Sequence, residues 1–356
     1  MKLSVSKYGY ITTRVRGMKA SLIEEGGYSI LLGCPDLEGL LSFLKATSYG
    51  EDLLDIQPGT VRALSLEEAF LRNLFKTYSK VAEKASSDVA PLILGYLKRF
   101  EIENLKIALR ALKGGIDYEE ALRYIVPIPR GLSAETYRDL LGVARDVESF
   151  VQFLEKTEYG TLLARSMKDY LEKKNLIALE KALDFHVYGS LWTLTERLDG
   201  RDKVIAKKLI GGELEIRNIK ILLRGKTLRL DPSEVKDYIY PVFYALTPDN
   251  IDIALKAQEV EGAIRALMAQ PYRDMLTRVL MEYERCGSLA IVDLEGDRLL
   301  AKMCRRILRV YPSPFHVGVI LSYLILKWFE VRNLRAIVYG KEDGLRPESI
   351  ERLLVY

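Results

Sequence analysis

Apolar residues recur at three- and four-residue intervals along most of this chain, the period of an amphipathic helix. Leu37, Leu40, Leu41 and Leu44 follow it, and so do Phe70, Leu74 and Val81. The clearest stripe is Ile102, Leu105, Leu109 and Leu112. Pro91 stands where a long helix carrying that stripe would open, because a first-turn proline forfeits no hydrogen bond. Gly114-Gly115 stands where it would close. The stretches SYGEDL and IQPGT read as turns. Alternating Val, Ile and Thr bounded by hairpin dipeptides is missing. The pattern predicts an all-α fold with short Pro/Gly turns and no flexible linker.

Polar residues at the edge of the stripe carry a second signal. EIENLKIALR at 101–110 returns as EIRNIKILLR at 215–224 and as EVRNLRAIVY at 330–339, spaced 114 and 115 residues apart. LKATSYG at 44–50 returns as LEKTEYG at 154–160 and, less closely, as LMAQPYR at 267–273. The acidic positions Asp36, Asp146 and Glu259 line up as well. So do Leu66-Glu67 with Leu179-Glu180, and Tyr124 and Pro127 with Tyr238 and Pro241. An order and spacing kept by independent anchors implies three copies of one unit. The copies divide the chain at 1–120, 121–233 and 234–356. Common helical solenoids repeat every 33–47 residues or so, so three copies of this length suggest a closed, pseudo-symmetric trio of helical bundles instead of an open array.

The repeated positions form the candidate site: Glu101, Asn104 and Lys106, then Glu215, Asn218 and Lys220, then Glu330, Asn333 and Arg335, with Tyr49, Tyr159 and Tyr272 from the turn motif. On a helical wheel Glu101 lies about half a turn from Arg110, so its partner must come from another helix or from solvent. A half-buried carboxylate or amide without partners would cost about 1–3 kcal/mol, and the threefold return suggests one shared solution. The three glutamates could be imagined converging on a metal. With no histidine among them, each locking helices together is the stronger reading. The tyrosines read as buried, with hydroxyls that find partners. Gly211-Gly212 is expected to break or kink the second copy's helix. Ser313-Pro314 is expected to open the third copy's last long helix, and residues 347–356 to form a short closing helix.

Composition narrows the chemistry. The 356 residues are 49% hydrophobic and 29% charged with a net charge of +4, which is no footprint of a nucleic-acid binder. Cys34, Cys286 and Cys304 are sparse and odd in number, which points to a reducing compartment. The two histidines, His186 and His316, read as ordinary half-buried side chains. Gly225-Lys226-Thr227 resembles the end of a phosphate loop, but Lys220 stands where the earlier glycine belongs. No catalytic, metal or cofactor site is expected. The start of the chain lacks an apolar core of signal-peptide length. The longest apolar run, 317–326, is about half of the roughly 20 residues a membrane span needs. Lys2, Lys7, Arg14, Arg16 and Lys19 precede Glu24 and Glu25. They read as a solvated helix face or as a contact for an acidic surface.

The three signature stretches, the T-x-Y-G turns, the opening Tyr8, Tyr10, Arg14, Arg16 and Met18, and the late Gly340-Lys341 resemble the C subunits of archaeal and bacterial V-type (A-type) ATP synthases, relatives of the d subunit of the eukaryotic V-ATPase. The resemblance covers the whole chain. It implies an all-helical funnel of three bundles, present in one copy per complex. It implies peripheral attachment on the cytoplasmic side of the cell membrane, with the central stalk shaft subunits and the membrane rotor ring as partners. Such a socket transmits torque for ATP-driven proton or sodium transport, or for ATP synthesis, and catalyses nothing itself. The third copy departs from strict symmetry: Gln270-Pro271-Tyr272 replaces the Thr-x-Tyr turn, Arg335 replaces Lys106 and Lys220, and Tyr339 replaces Arg110 and Arg224. The alternatives are a helical-repeat adaptor unrelated to rotary ATPases, against which the long repeat period counts, and an all-α enzyme, which would need a convergent polar pocket.

Overall fold

A computed structural model describes residues 2–311 and 313–356, with side chains from residue 6 onward, so the side chain of Lys2 lies outside the described residues. The described chain is all-helical. It opens with α1 (Lys2–Lys19), α2 (Glu25–Gly33), α3 (Leu37–Lys45), a 3-10 turn at Gly50–Leu53, and α4 (Ala63–Ala82). Then come α5 (Ala90–Gly114), α6 (Tyr118–Leu122), α7 (Ala134–Val143), α8 (Val147–Phe153), α9 (Gly160–Lys173) and α10 (Ile177–Thr195). The rest is α11 (Gly200–Thr227), α12 (Pro232–Asp237), α13 (Pro248–Lys256), α14 (Val260–Ala266), α15 (Arg273–Cys286), α16 (Ile291–Val310), α17 (Val317–Glu342) and α18 (Pro347–Glu351).

The chain forms two compact units, one from residues 1–70 and 195–356, the other from 71–194. In the smaller unit, Gly95 of α5 lies against Leu191 of α10, where an added Cβ would come within 2.7 Å of Leu191 Cδ2. In the larger, α16 and α17 pack together and α1 lies along α17. Residues 317–326 are buried throughout, so the long apolar run is a core helix. No described helix is long and apolar enough to cross a membrane.

Local chemistry explains the aligned motifs. Asp36 caps α3 by accepting from the Gly39 amide at 2.9 Å. Asp146 caps α8 by accepting from the Ser149 amide at 2.8 Å. Such a cap satisfies an amide that the first turn leaves orphaned. The longer Glu259 takes the same position before α14 without making the bond. In the T-x-Y-G turn, Thr47 Oγ1 donates to the Leu44 carbonyl at 2.6 Å and accepts from the Tyr49 amide. Thr157, Leu154 and Tyr159 repeat this. The glycine follows from close backbone approach: a Cβ at Gly160 would lie 2.6 Å from the Glu155 carbonyl oxygen, and one at Gly50 would overlap that of Lys45.

Two expectations need correction. Helix α11 runs unbroken through Gly211-Gly212. Packing supplies the reason: Met303 of α16 approaches so closely that a Cβ at Gly212 would lie 2.8 Å from its Cε. Helix α17 begins at Val317 with His316 at its cap, not at Ser313-Pro314. The Val317 amide donates at 3.0 Å to Asp202 from the first turn of α11, which gives the helix start its acceptor. The tail does form a short helix, at Pro347–Glu351.

Candidate functional site

Glu101, Glu215 and Glu330 are each at most 3% exposed, and each accepts from a buried tyrosine of another copy. Tyr159 donates to Glu101 Oε2 at 2.5 Å. Tyr272 donates to Glu215. Tyr49 donates to Glu330 Oε1 at 2.7 Å. The order is cyclic: the first copy's glutamate is held by the second copy's tyrosine, the second's by the third's, and the third's by the first's.

Backbone amides complete each carboxylate. Leu132 N donates to Glu101 at 2.5 Å. Glu215 Oε1 accepts from the amides of Tyr244, Ala245 and Leu246 at 2.5, 2.8 and 2.9 Å. Ile23 N donates to Glu330 at 2.5 Å. Glu330 also accepts from Lys327 Nζ at 2.7 Å, and that ammonium stands 3.9 Å from the centroid of the Tyr49 ring. Lys327 is buried, which lowers its pKa, while Glu330 raises it. Burial beside a carboxylate holds all three phenols well above their ordinary range, so they are donors that stay protonated. Burial also raises Glu215, with the Tyr272 hydroxyl and the three amides opposing.

The asparagines repeat with equal regularity. Asn104 donates to the Val126 carbonyl at 2.8 Å and accepts from its amide at 3.3 Å. Asn218 does the same with Tyr240 at 2.9 and 2.8 Å, and Asn333 with Val355 at 2.9 Å in both directions. Only a side-chain amide offers donor and acceptor side by side. In the first two copies the partner precedes a proline, Pro127 or Pro241. A residue before proline is held out of the helical region, and here its two backbone groups are left to the asparagine.

The basic signature residues reach acids on the next copy. Lys106 meets Asp184 at 3.0 Å, and Arg110 holds Glu180 through two 2.7 Å bonds. Lys220 meets Asp293 at 3.3 Å, and Arg224 pairs with the same residue. Arg335 reaches Glu67 at 2.7 Å, and the Tyr339 hydroxyl donates to it at 2.6 Å. Tyr339 therefore replaces an arginine while keeping its acceptor, and the aligned Glu67 and Glu180 are these acceptors.

Gly225-Lys226 builds no phosphate loop and matches Gly340-Lys341 instead. Lys226 Nζ donates to the carbonyls of Leu255 and Ala257, the latter at 2.6 Å. Lys341 donates to those of Leu32, at 2.9 Å, and Cys34. A Cβ at Gly340 would lie 2.6 Å from Ile350 Cγ1, and one at Gly225 would overlap Val235. The aligned residues of the first copy are the small Ala111 and Ala121, both buried.

The basic residues of α1 divide. Tyr8, Ile11, Thr12 and Val15 are its buried face. Tyr8 OH donates to Asp202 at 2.8 Å, and Lys7 lies 5.1 Å from the Tyr8 ring. Arg14 donates to Tyr10 OH at 3.1 Å. Arg16 and Lys19 are exposed. His186 is partly exposed beside Glu158 at 3.4 Å. His316, expected to be half-buried, is 1% exposed. Among the described residues no group of three His, Cys, Asp or Glu could hold a metal.

Lys302, Arg305, Arg306 and Arg309 on α16 stand outside every repeated motif. Their signal lay in the comparison of copies, since the aligned residues in and just after α10 are Gly189, Trp192, Thr193 and Glu196.

Comparison with known proteins identifies relatives along the whole chain. The A-type ATP synthase C subunit of Methanocaldococcus jannaschii is 27% identical over 355 residues, covering 100% of this chain and 88% of that protein. Those of Methanococcoides burtonii and Methanosarcina acetivorans are 27% and 28% identical, covering 99% of this chain and 95% and 94% of theirs. The family described as ATP synthase (C/AC39) subunit matches residues 11–353, and the chain belongs to it.

Proposed function

We propose that this protein is the coupling subunit of an A-type ATP synthase, a socket that joins the central stalk shaft to the membrane rotor ring and transmits torque. It is a structural subunit and carries out no ATP chemistry. One copy serves each complex, bound peripherally on the cytoplasmic side of the membrane, for proton- or sodium-coupled work. The three repeats at 1–120, 121–233 and 234–356 are its mechanical units.

The supporting observation is the cyclic set of Glu–Tyr bonds. A part under torsional load must not hinge between its copies. Buried, charge-assisted bonds whose rupture strands a carboxylate resist that opening. The non-equivalent third copy, with Lys327 beside Glu330 and Tyr339 in place of arginine, suits a part joining a symmetric ring to an asymmetric shaft. The basic residues of α1, Lys2, Lys7, Arg14, Arg16 and Lys19, are the contact we assign to the ring rim or membrane face, and among its described side chains Arg16 and Lys19 are the exposed cations.

Affinity isolation from native membranes, with identification of every recovered subunit, tests this reading. Shaft and ring subunits should be recovered with one copy of this chain. Recovery of neither would favour an adaptor outside rotary ATPases.

A further inference from the structure

Helix α16 is divided by charge. Its acids, Asp293, Glu295 and Asp297, all lie in its first half and are all paired: with Arg224, with Arg278 and Arg298, and with Arg332. Its second half holds Lys302, Arg305, Arg306 and Arg309, with no acidic side chain among them. Together with Arg278 and Arg298 these line a cleft of about 610 Å³, on which Asp274 is the one acidic side chain among the lining residues. A second cleft of about 690 Å³ adjoins it through Arg305, Arg309 and Tyr356, and carries Glu24, Glu25 and Glu330. The basic groove is therefore the first cleft, on the exposed side of α16.

Helix stability does not account for this cluster. Cations favour a helix C-terminus only within its last turn, and Lys302 and Arg305 precede that turn. Nor does the shared scaffold require it. The third copy's cations align with Lys76, Ser79, Lys80 and Glu83 in the first copy, and with Gly189, Trp192, Thr193 and Glu196 in the second. Arg305 is half-buried, and burial lowers its pKa.

We propose that this groove receives an acidic segment of another protein subunit. Arginine forks match carboxylates in two-bonded geometry. Residues 298–309 extend about 17 Å along the helix, several residues of a peptide and far more than one phosphate occupies. The lining includes Met275, Leu299, Met303 and Val310, so the occupant brings apolar side chains between its acids. A concave groove with an apolar floor fits a peptide better than it fits the plane of a bilayer. The identity of the complex that supplies the segment rests on the coupling reading above; the chemistry of the groove does not.

Two measurements test this. Carbodiimide, which joins amines to carboxylates at zero length, should link Lys302 to an acidic residue of another subunit in the purified complex. For the isolated chain, fluorescence anisotropy with a labelled peptide of alternating Glu and Leu should show binding, weakened about tenfold or more in a Lys302→Glu/Arg306→Glu/Arg309→Glu variant. These positions are exposed, so the variant should keep its helical circular dichroism. An intact complex without a Lys302 link to another subunit would overturn the proposal while leaving the coupling reading in place. Failure of the wild-type chain to bind the peptide would overturn it whatever complex is found. Loss of binding to phosphatidylglycerol vesicles in the variant, with peptide binding unchanged, would give the groove to lipid headgroups instead.

Discussion

Tyr49 and Glu330 are separated by 281 residues and joined by one 2.7 Å hydrogen bond, the first copy's turn holding the third copy's core helix. Both groups are buried, and Lys327 completes the cluster with its ammonium over the tyrosine ring. Tyr49→Phe removes one donor from a buried carboxylate without changing the ring. A loss of about 1–3 kcal/mol is expected. The first thermal transition should fall by roughly 2–4 °C per kcal/mol. Tyr159→Phe and Tyr272→Phe should act likewise. An unchanged melting curve for all three would remove their structural role.

Glu101→Gln probes the same arrangement from the acceptor side. The carboxylate receives the Leu132 amide on one oxygen and the Tyr159 hydroxyl on the other. A glutamine turns its NH2 toward one of these donors. Melting should fall by a few degrees, in line with about 1–3 kcal/mol for a buried donor left unpaired. A wild-type melting curve combined with lost complex assembly would assign Glu101 to an interface.

Gly340 and Ile350 meet in the third copy, and their aligned residues in the first copy are the small, buried Ala111 and Ala121. Gly340→Ala should cost about 1–3 kcal/mol by overpacking. Adding Ile350→Ala recreates the first copy's pair and should recover part of the loss, a favourable coupling in a double-mutant cycle. Additive losses would mean that the two residues do not share the space.

His316 titrates in a way that links stability to pH. Burial first, then Arg201 and Arg16, push its pKa down to about 4, with Asp202 opposing. The fold therefore favours the neutral ring. Its contribution is fully present above the ordinary value of about 6.5 and is lost as pH falls through about 4, up to about 3 kcal/mol in all. His316→Gln should flatten the fall in melting temperature between pH 7 and pH 4. Identical slopes in the two proteins would show that His316 does not carry it.

Arg16 and Lys19, the exposed cations among the described side chains of α1, should make ring attachment sensitive to salt, since screening shortens from about 10 Å at 0.1 M to about 3 Å at 1 M. Rising salt should release the ring before the shaft, and Arg16→Glu/Lys19→Glu should lower the salt at which the ring leaves. Release of both partners together, or of the shaft first, would contradict that assignment.

The all-helical class was legible because strand signals were absent and the apolar stripes kept one period. The positions of Glu101, Asn104 and their counterparts were legible because three copies repeat them. Their partners were not. Tyr159 lies 58 residues beyond Glu101, whereas the partner of Glu330 lies 281 residues before it, and no local pattern announces such a closure. Gly212 misled because a glycine pair weakens a helix in isolation, while here it admits Met303. His316 misled because nothing around it in sequence shows that it is buried near the charges of Arg201 and Asp202.

Coupling is tested most directly by removing this subunit from the purified complex, reconstituting the remainder in vesicles, and measuring ATP hydrolysis and ion uptake together. Hydrolysis should persist without ion uptake, and adding back one equivalent of the protein should restore uptake. Ion uptake that continues undiminished without the protein would contradict the account.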